Sequence, residues 1–561
     1  MAMKRVMALL GVITFIAVCL RLFNLGKTPN SLEWDEVALG YDAYSIMLTG
    51  RDQFGQLFPR NFRSLDDWKP PLYVYSAIPG IFLFGLSDFT VRLPSAISGS
   101  LAVFLVFFLV RELLRRHPEK NQIALLSALF LAISPWHLQF SRAAFETNLS
   151  VTVVAAAVFT FLQGARKRNN LFYLSAVLFG LGLFTYHSTR VVAPLLLISL
   201  VILLRHQLPG RRMIIGFFGI YILFWLFFLP IAFNRNAQIR FIVTNDLRME
   251  ENILKAADEI ARDAVISPQA YFSGRIFHNR RISIYNYENF KRLAVNYFSH
   301  FSPYFLVVKG DVPLHHAPGF GMIYFFDYFF ILAGIGFFFL RYTKRITAIL
   351  PIWLFLAPLP AAVTRQAPHS VRAEIILPTL QIFAAIGLWN ILKLLKREWN
   401  ILYTAAVWAL LPVFIFSIGR YMHQYYFHTD FEFSRNWMYG RKEAVEYTEK
   451  VKDNYDRILV SLGTDLPEGA SMPYIFWLYY TQYPPKRYLE EGGTVSGGFA
   501  EERNRFGKYE FRNFNYSELT GKGNLLLVGN PRDFPTGSRI LDTINYPDGT
   551  TALYIGENQR E

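Results

Sequence analysis

Apolar residues in this chain form long, nearly uninterrupted blocks instead of the spaced pattern of an amphipathic surface helix. The block from Met213 to Phe233 is representative, and its length is close to the roughly 20 residues that a helix needs to cross a bilayer. The pattern predicts a polytopic α-helical membrane protein with about 11 transmembrane helices. The predicted spans are residues 6–24, 90–110, 122–138, 148–164, 171–187, 190–205, 213–233, 321–340, 346–363, 373–392 and 399–418.

Basic residues between these blocks indicate how the chain is threaded through the membrane. Clusters at 111–120, 166–168, 205–212, 341–345 and 393–397 all fall on the side of Lys4 and Arg5. Positive clusters are typical of cytoplasmic loops. We therefore expect a multi-pass protein of the plasma membrane, with a cytoplasmic N-terminus and an extracytoplasmic C-terminal region.

The apolar segment 71–86 is short and is interrupted by Pro79-Gly80. If it crossed the membrane, every later basic cluster would lie outside, against the positive-inside rule. We therefore expect a re-entrant or interfacial helix that returns to the outer face.

The outer face then receives three polar regions: a loop at 25–89, a long loop at 234–320 and the region after residue 420. In the last region, 457–462 and 524–528 are β-like runs, and 540–555 reads as a hairpin around Pro547-Asp548-Gly549. We predict a transmembrane module at 1–420 and a small extracytoplasmic α/β domain at 421–561.

The composition agrees with a membrane protein and argues against several other classes of protein. Hydrophobic residues make up 53% and charged residues 18%, whereas soluble domains carry about 25% charge. The net charge of +15 comes from the loop clusters, and no basic stretch is interleaved with aromatic residues, so nucleic-acid binding is not expected. The single cysteine, Cys19, excludes an intramolecular disulfide and a cysteine-based metal cluster.

The first candidate for chemistry is Glu33-Trp34-Asp35-Glu36, directly after the first span. Ionisable residues near a bilayer are costly and often functional. Neighbouring helix positions point about 100° apart, so one acid of the Asp35-Glu36 pair would face a site while the other supports it. The alternative is a solvated loop or a helix N-terminus that favours acids.

Two further elements follow this acidic pair. The same loop contains Trp68-Lys69-Pro70-Pro71-Leu72-Tyr73, and Val91-Arg92-Leu93-Pro94-Ser95 opens the next span. Together, the three elements resemble the polyprenyl-phosphate-dependent GT-C glycosyltransferases, namely the protein O-mannosyltransferases (family 39) and their bacterial aminoarabinose-transferase relatives. The resemblance covers about residues 5–200 and is architectural beyond them.

This resemblance implies roles for three residues. Asp35 maps onto the base that accepts the proton of the acceptor hydroxyl, Glu36 onto its catalytic neighbour, and Lys69 onto a lysine near the donor phosphate. It also implies a single displacement with inversion at the anomeric carbon. The chemistry is consistent, because a carboxylate activates a hydroxyl and cations stabilise a departing phosphate.

Further polar residues at the outer ends of the spans are candidates for substrate binding. They are Arg142 with Glu146, His187 with Arg190, and His369 with Arg372. Arg142 and Glu146 are four residues apart and are predicted to share a helix face, either as a structural ion pair or at a substrate site. For all of these residues the alternative is interfacial anchoring.

The residues require no cofactor, and a divalent cation at the acidic pair is left open. His315 and His316 are adjacent and point apart, and no nearby acid shows ligand spacing, so a loop role is expected. Asp327 lies within an apolar span and needs a partner or water.

The expected function is therefore a membrane glycosyltransferase. It would move a sugar from a polyprenyl-phosphate donor to a hydroxyl of a protein, lipid or cell-wall acceptor at the outer face of the bilayer. An oligosaccharyltransferase is disfavoured because the outer region lacks a Trp-Trp-Asp motif. The alternative from another class is a transporter or flippase of a lipid-linked or small polar substrate, favoured by Asp327 and the prolines of the ninth span.

Overall fold

The computed structural model describes residues 3–64, 67–233, 250–278, 287–463, 472–494, 505–519, 521 and 523–558. Residues 234–249 and 279–286 of the predicted long outer loop lie outside the described residues. The N-terminal half is almost entirely helical, apart from one small hairpin of strands β1 (Phe62–Ser64) and β2 (Asp67–Lys69). Its helices are α1 (Met3–Leu22), α2 (Trp34–Thr49), α3 (Leu72–Phe84), α4 (Asp88–Leu113), α5 (Lys120–Ile133), α6 (Pro135–Phe140), α7 (Glu146–Lys167), α8 (Leu171–Gly182), α9 (Thr189–Leu204) and α10 (Arg211–Ala232).

The central region continues the helical architecture. Its helices are α11 (Glu250–Ile266), α12 (Pro268–Phe277), α13 (Tyr287–Ser299), α14 (Phe325–Phe337), α15 (Ile349–Leu356), α16 (Leu359–Ala362), α17 (Ser370–Ala373), α18 (Thr379–Glu398), α19 (Asn400–His423) and α20 (Thr429–Glu432). A π-helical turn extends α14 to Tyr342, and another joins α19 to α20.

Seven helices among the described residues are long and apolar enough to cross a membrane: α1, α4, α7, α10, α14 with its extension, α18, and α19 continued through α20. Shorter apolar helices supply the other predicted spans, namely α5, α8, α9 and the α15–α16 segment. The prediction of a multi-pass membrane protein is confirmed. The orientation of the chain across the membrane stays a prediction.

Helix α3 occupies the apolar segment that we excluded from the spans. It has 13 residues and contains Pro79. At 1.5 Å per residue it is about 20 Å long, similar to α5 and α8, so its length alone does not separate it from the shorter predicted spans. Phe82, Leu83 and Phe84 at its end are largely exposed, as expected for an interfacial helix.

Two spans approach each other closely because both carry glycine at the crossing. A Cβ on Gly334 of α14 would lie 1.8 Å from the carbonyl oxygen of Phe383, and a Cβ on Gly387 of α18 would lie 2.0 Å from that of Phe330. Small residues that allow backbones to touch are typical of helix contacts in membranes. Substitution of either glycine would push the two helices apart.

The C-terminal region contains the predicted α/β unit. Helices α21 (Arg441–Val451), α22 (Tyr474–Tyr480) and α23 (Pro485–Glu490) accompany strands β3 (Arg457–Val460), β4 (Arg505–Phe506), β5 (Tyr509–Phe511), β6 (Leu525–Gly529), β7 (Arg539–Asn545) and β8 (Thr551–Glu557). The sheet order is β4-β5-β3-β6-β8-β7. Strand β3 runs parallel to both neighbours, and β7 and β8 form the predicted hairpin. The fold class is confirmed, while the domain boundary at 420/421 stays a prediction.

Helix α2 lies between the membrane bundle and the C-terminal unit, which fixes its position. A Cβ on Gly40 would approach Val91 of α4 at 2.6 Å and Tyr479 of α22 at 2.7 Å. The hydroxyl of Tyr41 donates a hydrogen bond to the carbonyl oxygen of Tyr483 (3.0 Å). The helix that carries the acidic pair is therefore held from both sides.

Candidate active site

The acidic pair lies in the first turn of α2, and its two members have different surroundings. Glu33 caps the helix, since its carboxylate accepts a hydrogen bond from the backbone N–H of Asp35 (2.9 Å). The Asp35 side chain keeps 35% of its surface exposed, whereas Glu36 is buried. This is the division that the 100° rotation between neighbouring helix positions predicts.

Asp35 contacts Lys69, the lysine of the Trp-Lys-Pro-Pro element. Lys69 Nζ lies 2.7 Å from Asp35 Oδ2, and Lys69 is itself buried. The lysine ends strand β2, where it pairs with Phe62 of β1, so a short hairpin carries the cation to the helix. A partly exposed carboxylate with one mobile cationic partner is chemically available to a substrate.

Glu36 is held by a dense set of contacts. Arg92 of α4 donates from Nε to Glu36 Oε1 and from Nη2 to Oε2, each at 3.0 Å. The backbone N–H of Ala144 donates to Oε1 at 2.7 Å. The catalytic role of Glu36 stays a prediction, and burial and these donors, which occupy its carboxylate, favour a positioning role.

Arg92 also organises the segment that leads into α2. Its guanidinium donates to the carbonyl oxygens of Leu25 (3.2 Å), Pro29 (2.8 Å) and Ser31 (2.7 Å). A planar guanidinium with five N–H donors is suited to such a site. The arginine of the Arg-Leu-Pro-Ser element thus ties the connection after α1, helix α2 and helix α4 together.

Glu33 adds to the electrostatics beside Asp35. Burial raises the pKa of Glu33 well above its usual range, and the neighbouring Asp35 carboxylate raises it further. This shift favours the protonated form of Glu33 more than in a solvent-exposed glutamate. Asp35 is the more exposed carboxylate of this turn, and it contacts Lys69.

An apolar groove is lined by residues that flank the β1–β2 hairpin in the sequence, from Phe58 to Arg60 and from Pro71 onwards. Its volume is about 570 Å³, and its lining is almost entirely apolar apart from one arginine: Phe58, Pro59, Arg60, Pro71, Leu72, Tyr75, Leu181, Phe184, Leu223, Phe224 and Phe227. The Arg60 guanidinium lies over the Phe227 ring, 4.1 Å from its centroid. The groove therefore combines a long apolar wall with a cation at its edge.

The turn with His187 and Arg190 borders the same groove. The backbone N–H of Leu72 donates to the carbonyl oxygen of Phe184 (3.1 Å), which joins this turn to the start of α3. Arg190 Nη1 donates to His187 Nδ1 at 2.8 Å, and the guanidinium lies over Phe228. Both predicted residues thus lie on the side of the groove opposite the hairpin.

Arg142 and Glu146 do not form the predicted arrangement. Helix α7 begins at Glu146, and Arg142 lies in the preceding turn, so the two residues share no helix face. Arg142 is buried and donates to the carbonyl oxygens of Leu20 (2.8 Å), Arg21 (3.2 Å) and Thr28 (3.3 Å). The predicted helical pairing is wrong, and the arginine holds the end of α1.

His369 and Arg372 lie in the late turn before α18, where His369 directly precedes α17 and Arg372 lies within it. Arg372 Nη1 donates to Thr364 Oγ1 (2.8 Å) and to the carbonyl oxygen of Arg365 (3.0 Å). The backbone N–H of His369 donates to His300 Nε2 at 3.1 Å. These contacts fold the turn on itself, and they give no direct connection to Asp35 or Lys69 among the described residues.

His315 does have an acid at a suitable spacing, contrary to our prediction. Asp311 lies four residues earlier, and His315 Nδ1 donates to its Oδ2 at 2.9 Å. His369 Nδ1 lies 4.0 Å from the same oxygen. A loop and a distant turn therefore bring one carboxylate and two imidazoles together.

Asp327 has an ordinary structural explanation. It lies in the first turn of α14, and its carboxylate accepts a hydrogen bond from the backbone N–H of Tyr324 (3.3 Å). The predicted span placed Asp327 too deep, because α14 begins only at Phe325. The residue caps a helix end, which removes the main observation behind a transporter.

Two features of the site were missed in the sequence. Arg60 and Phe227 of the groove wall are 167 residues apart in the chain, so no local pattern could place the arginine there. Asp311 could have been found, because its spacing of four residues from His315 is a common ligand spacing on a turn. Arg92 was noted within its motif, but its contacts to 25–31 depend on the tertiary fold.

The chain thus combines a bundle of apolar spans, an acidic pair after its first span and a C-terminal α/β unit. Residues 68–232 match the family model described as dolichyl-phosphate-mannose-protein mannosyltransferase. This segment begins at Trp68 and ends with α10, and it contains Lys69, Arg92 and the groove wall of α8 and α10.

Solved structures are similar over nearly the whole chain. ArnT from Cupriavidus metallidurans in the apo state has a TM-score of 0.53 and 13% identity, over 98% of this chain and 97% of ArnT. The same protein bound to undecaprenyl phosphate has a TM-score of 0.54 and 13% identity, over 100% of this chain and 98% of ArnT. At this identity the likeness shows the fold.

A third similar structure is the archaeal oligosaccharyltransferase AglB from Archaeoglobus fulgidus, in complex with an inhibitory peptide and a dolichol-phosphate. Its TM-score is 0.47 at 16% identity, over 86% of this chain and 64% of AglB. No curated protein sequence matches the chain. The resemblance to the GT-C glycosyltransferases is confirmed by the match of residues 68–232 and by the fold that the chain shares with ArnT. The roles of the individual site residues stay predictions.

Proposed function

We propose that this chain transfers a sugar from a polyprenyl-phosphate donor to an acceptor hydroxyl at the outer face of the membrane. One observation carries the proposal: Asp35, about one-third exposed, is paired with Lys69, and an apolar groove with an arginine at its edge is lined by Pro71, two residues after that lysine. A lipid phosphate needs these two surfaces next to each other, because its tail is apolar and its headgroup is anionic.

The groove fits the donor lipid. Its walls come from the start of α3 and from the ends of α8 and α10, and Leu223 on α10 is largely exposed towards the surroundings of the bundle. An isoprenoid chain can therefore enter sideways from the bilayer. The phosphate then lies at the end of the groove, within reach of Lys69, Arg60 and Arg190.

The cations have two tasks in this proposal. They neutralise the bound phosphate, and they stabilise the charge that develops on it as the bond to the sugar breaks. In the free enzyme Lys69 is paired with Asp35. When the phosphate binds, it competes for the lysine, and the Asp35 carboxylate is released for the acceptor.

The reaction is a single displacement. Asp35 accepts the proton of the acceptor hydroxyl while the hydroxyl oxygen attacks the anomeric carbon. A new bond forms between that oxygen and the carbon, and the bond to the phosphate oxygen breaks with its electron pair on the phosphate. Attack from the side opposite the leaving group inverts the anomeric centre.

The rest of the site positions these groups. Glu36 and Arg92 hold the first turn of α2, and the contacts of α2 with α4 and α22 fix its direction. The chemistry allows the acceptor hydroxyl to belong to a protein, a lipid or a cell-wall polymer. The transporter alternative loses one of its two supports, since Asp327 caps α14.

Membranes that contain the wild-type chain, supplied with a panel of labelled polyprenyl-phosphate sugars, test this proposal. We expect label to enter one of the protein, lipid or polymer fractions with one donor, and to fall about 10²- to 10⁴-fold in Asp35→Asn, because a general base is lost. Asp88→Asn is the matched control, since it breaks another aspartate–lysine pair, with Lys442 at 3.0 Å. Transfer that persists in Asp35→Asn after subtraction of the host background would contradict the assignment.

A further inference from the structure

A second group of chemically active side chains lies apart from the acidic pair. Asp311 and His315 stand at the end of the long outer loop, and His369 stands in the turn before α18. Their ligand atoms all lie within 4.8 Å of one another. The His315 and His369 rings face each other with centroids 5.4 Å apart.

We propose that Asp311, His315 and His369 bind a transition-metal ion, with Zn²⁺ as the best fit. This inference is independent of the proposed glycosyl transfer. It concerns residues that the transfer mechanism does not use.

Asp311 supplies the negative charge that such a site needs. Its side chain is 6% exposed. Among the described residues no lysine or arginine pairs with it, and its ionic partners there are His315 and His369. A buried carboxylate whose ionic partners are imidazoles suits a metal site, because buried charges are paired or coordinate metals.

The two oxygens of Asp311 have separate roles. Oδ2 accepts hydrogen bonds from the backbone N–H of Ser370 (2.7 Å), from Ser370 Oγ (2.8 Å) and from His315. Oδ1 is buried and accepts no hydrogen bond from any described residue. Ser370 thus holds the carboxylate in place, as outer contacts do for metal ligands, and leaves one oxygen for an ion.

The distances suit a small tetrahedral ion. Zinc bonds to imidazole nitrogen and carboxylate oxygen are about 2.0–2.2 Å long, which puts neighbouring tetrahedral ligands about 3.3 Å apart. The ligand atoms of the three residues lie within 4.8 Å of one another, so they are within about 1.5 Å of this spacing. Small side-chain rotations therefore suffice to close the site.

The types of ligand favour Zn²⁺ over harder cations such as Ca²⁺ and Mg²⁺. Two imidazoles and one carboxylate suit Zn²⁺ and related transition metals, whereas Ca²⁺ and Mg²⁺ take six or more oxygen ligands. Three protein ligands leave a fourth position for water or another group.

Such an ion would join two parts of the outer face. The His315 ring packs on Phe140 and Phe145, each 5.6 Å away between centroids. The next residue before Phe145, Ala144, donates its N–H to Glu36. On the other side, His369 lies three residues before Arg372. The metal would therefore fix the late outer turn relative to the support of the acidic pair.

Metal binding to the purified full-length chain tests the site. The protein is stripped with a chelator, titrated with Co²⁺ and then with Zn²⁺, and followed by the absorption of tetrahedral Co²⁺ and by metal content. We expect one ion per chain. Asp311→Asn keeps an oxygen for Ser370 but loses the charge, and His315→Gln loses a ligand, so each should weaken binding more than about 100-fold, beyond the 10- to 100-fold typical of outer contacts.

His428→Gln is the matched control, because His428 also pairs with an acid four residues away, Glu432 at 2.8 Å, at an exposed position. It should bind metal like the wild type. Elution by size-exclusion chromatography reports whether each variant folds. If Asp311→Asn does not fold, the wild-type spectrum and the metal binding of His315→Gln decide whether the proposal holds. A wild-type chain that takes up no Co²⁺ or Zn²⁺, or a folded His315→Gln that binds as tightly as the wild type, would overturn the proposal.

Discussion

Two ion pairs start from adjacent residues of α2 and differ in almost every other respect. The pair of Asp35 and Lys69 rests on a single contact, and the aspartate is 35% exposed. The pair of Glu36 and Arg92 is buried, bidentate and surrounded by backbone partners. Asp35 is thus partly exposed, whereas Glu36, its neighbour in the sequence, lies in the interior of the protein.

The difference separates a carboxylate that is available to react from a carboxylate that stabilises the helix. A buried carboxylate with three donors cannot exchange partners without exposing an unpaired charge. A partly exposed one can lose its lysine to a phosphate and accept a proton instead. The reactive group therefore stays weakly held, and its neighbour fixes the backbone on which it stands.

The largest effect is expected when the buried pair is broken. Arg92→Ala removes the bidentate contact to Glu36 and the three backbone contacts at residues 25–31. Removing one partner of a buried pair costs about 3–5 kcal/mol. We expect a strongly reduced yield of folded protein and a lower thermal unfolding midpoint in detergent.

Arg487→Ala is the matched control for Arg92→Ala. It breaks an exposed arginine–glutamate pair, with Glu491 at 2.9 Å, and exposed pairs contribute about 0–1 kcal/mol. Its unfolding midpoint should stay near that of the wild type. Equal destabilisation by both substitutions would mean that Arg92 has no special supporting role.

A smaller effect on stability, but a large one on activity, is expected at the exposed pair. Lys69→Met removes the cation beside Asp35, and we expect transfer to fall about 10²- to 10³-fold, as for the loss of one group that stabilises a developing anion. Lys69→Arg keeps the charge and should recover part of the activity. The measurement is the initial rate of label transfer with the active donor.

The matched control for Lys69 is Lys442→Met, which removes the lysine opposite Asp88. It should leave the transfer rate near the wild-type value. If Lys69→Met also transferred at the wild-type rate, Lys69 would have no part in phosphate binding.

The smallest effect concerns a third carboxyl of the same loop, which has no cation beside it among the described residues. Asp52 is buried and accepts hydrogen bonds from the N–H groups of Phe54 (3.0 Å) and Gln56 (2.8 Å). Burial raises the pKa of Asp52 from 3.8 to about 6, despite these hydrogen bonds. The folded chain therefore holds this proton more tightly than the unfolded chain.

The sign of the pH dependence follows from that shift. Because the pKa is raised on folding, this contribution to stability is present below about pH 4 and is lost as the pH rises to about 6. Its size is about 3 kcal/mol or less. Thermal unfolding between pH 4 and 7 should show this fall in the wild type and lack it in Asp52→Asn. An identical profile for both would contradict the shift, and the exposed Asp542→Asn serves as control.

Much of the fold could be predicted, because its determinants are local. Spans follow from apolar runs longer than a bilayer is thick, and the interfacial α3 follows from a run that contains Pro79 and from the side on which the later basic clusters lie. The hairpin of β7 and β8 follows from its turn residues. Strands β4 and β5 were missed, since two or three residues carry too little pattern.

The candidate site likewise has residues that could be predicted from the sequence and residues that could not. Asp35 and Lys69 are recognisable because their chemistry and their motifs are short-range. The role of Arg142 was misjudged because the position of a helix start decides which residues share a face, and α7 starts only at Glu146. The meeting of His315 with His369 depends on tertiary packing between a loop and a later turn, which no spacing in the sequence expresses.

The central claim, that Asp35 reacts and Glu36 supports, is tested most directly by one paired measurement on Asp35→Asn and Glu36→Gln. In each purified variant, the transfer rate per folded molecule and the unfolding midpoint are determined together. We predict that Asp35→Asn unfolds like the wild type and loses about 10²- to 10⁴-fold in rate, whereas Glu36→Gln loses stability, by up to about 3–5 kcal/mol, and keeps more of its rate per folded molecule. An Asp35→Asn protein that transfers at the wild-type rate, or a stable Glu36→Gln protein with the larger loss of rate, would contradict this account.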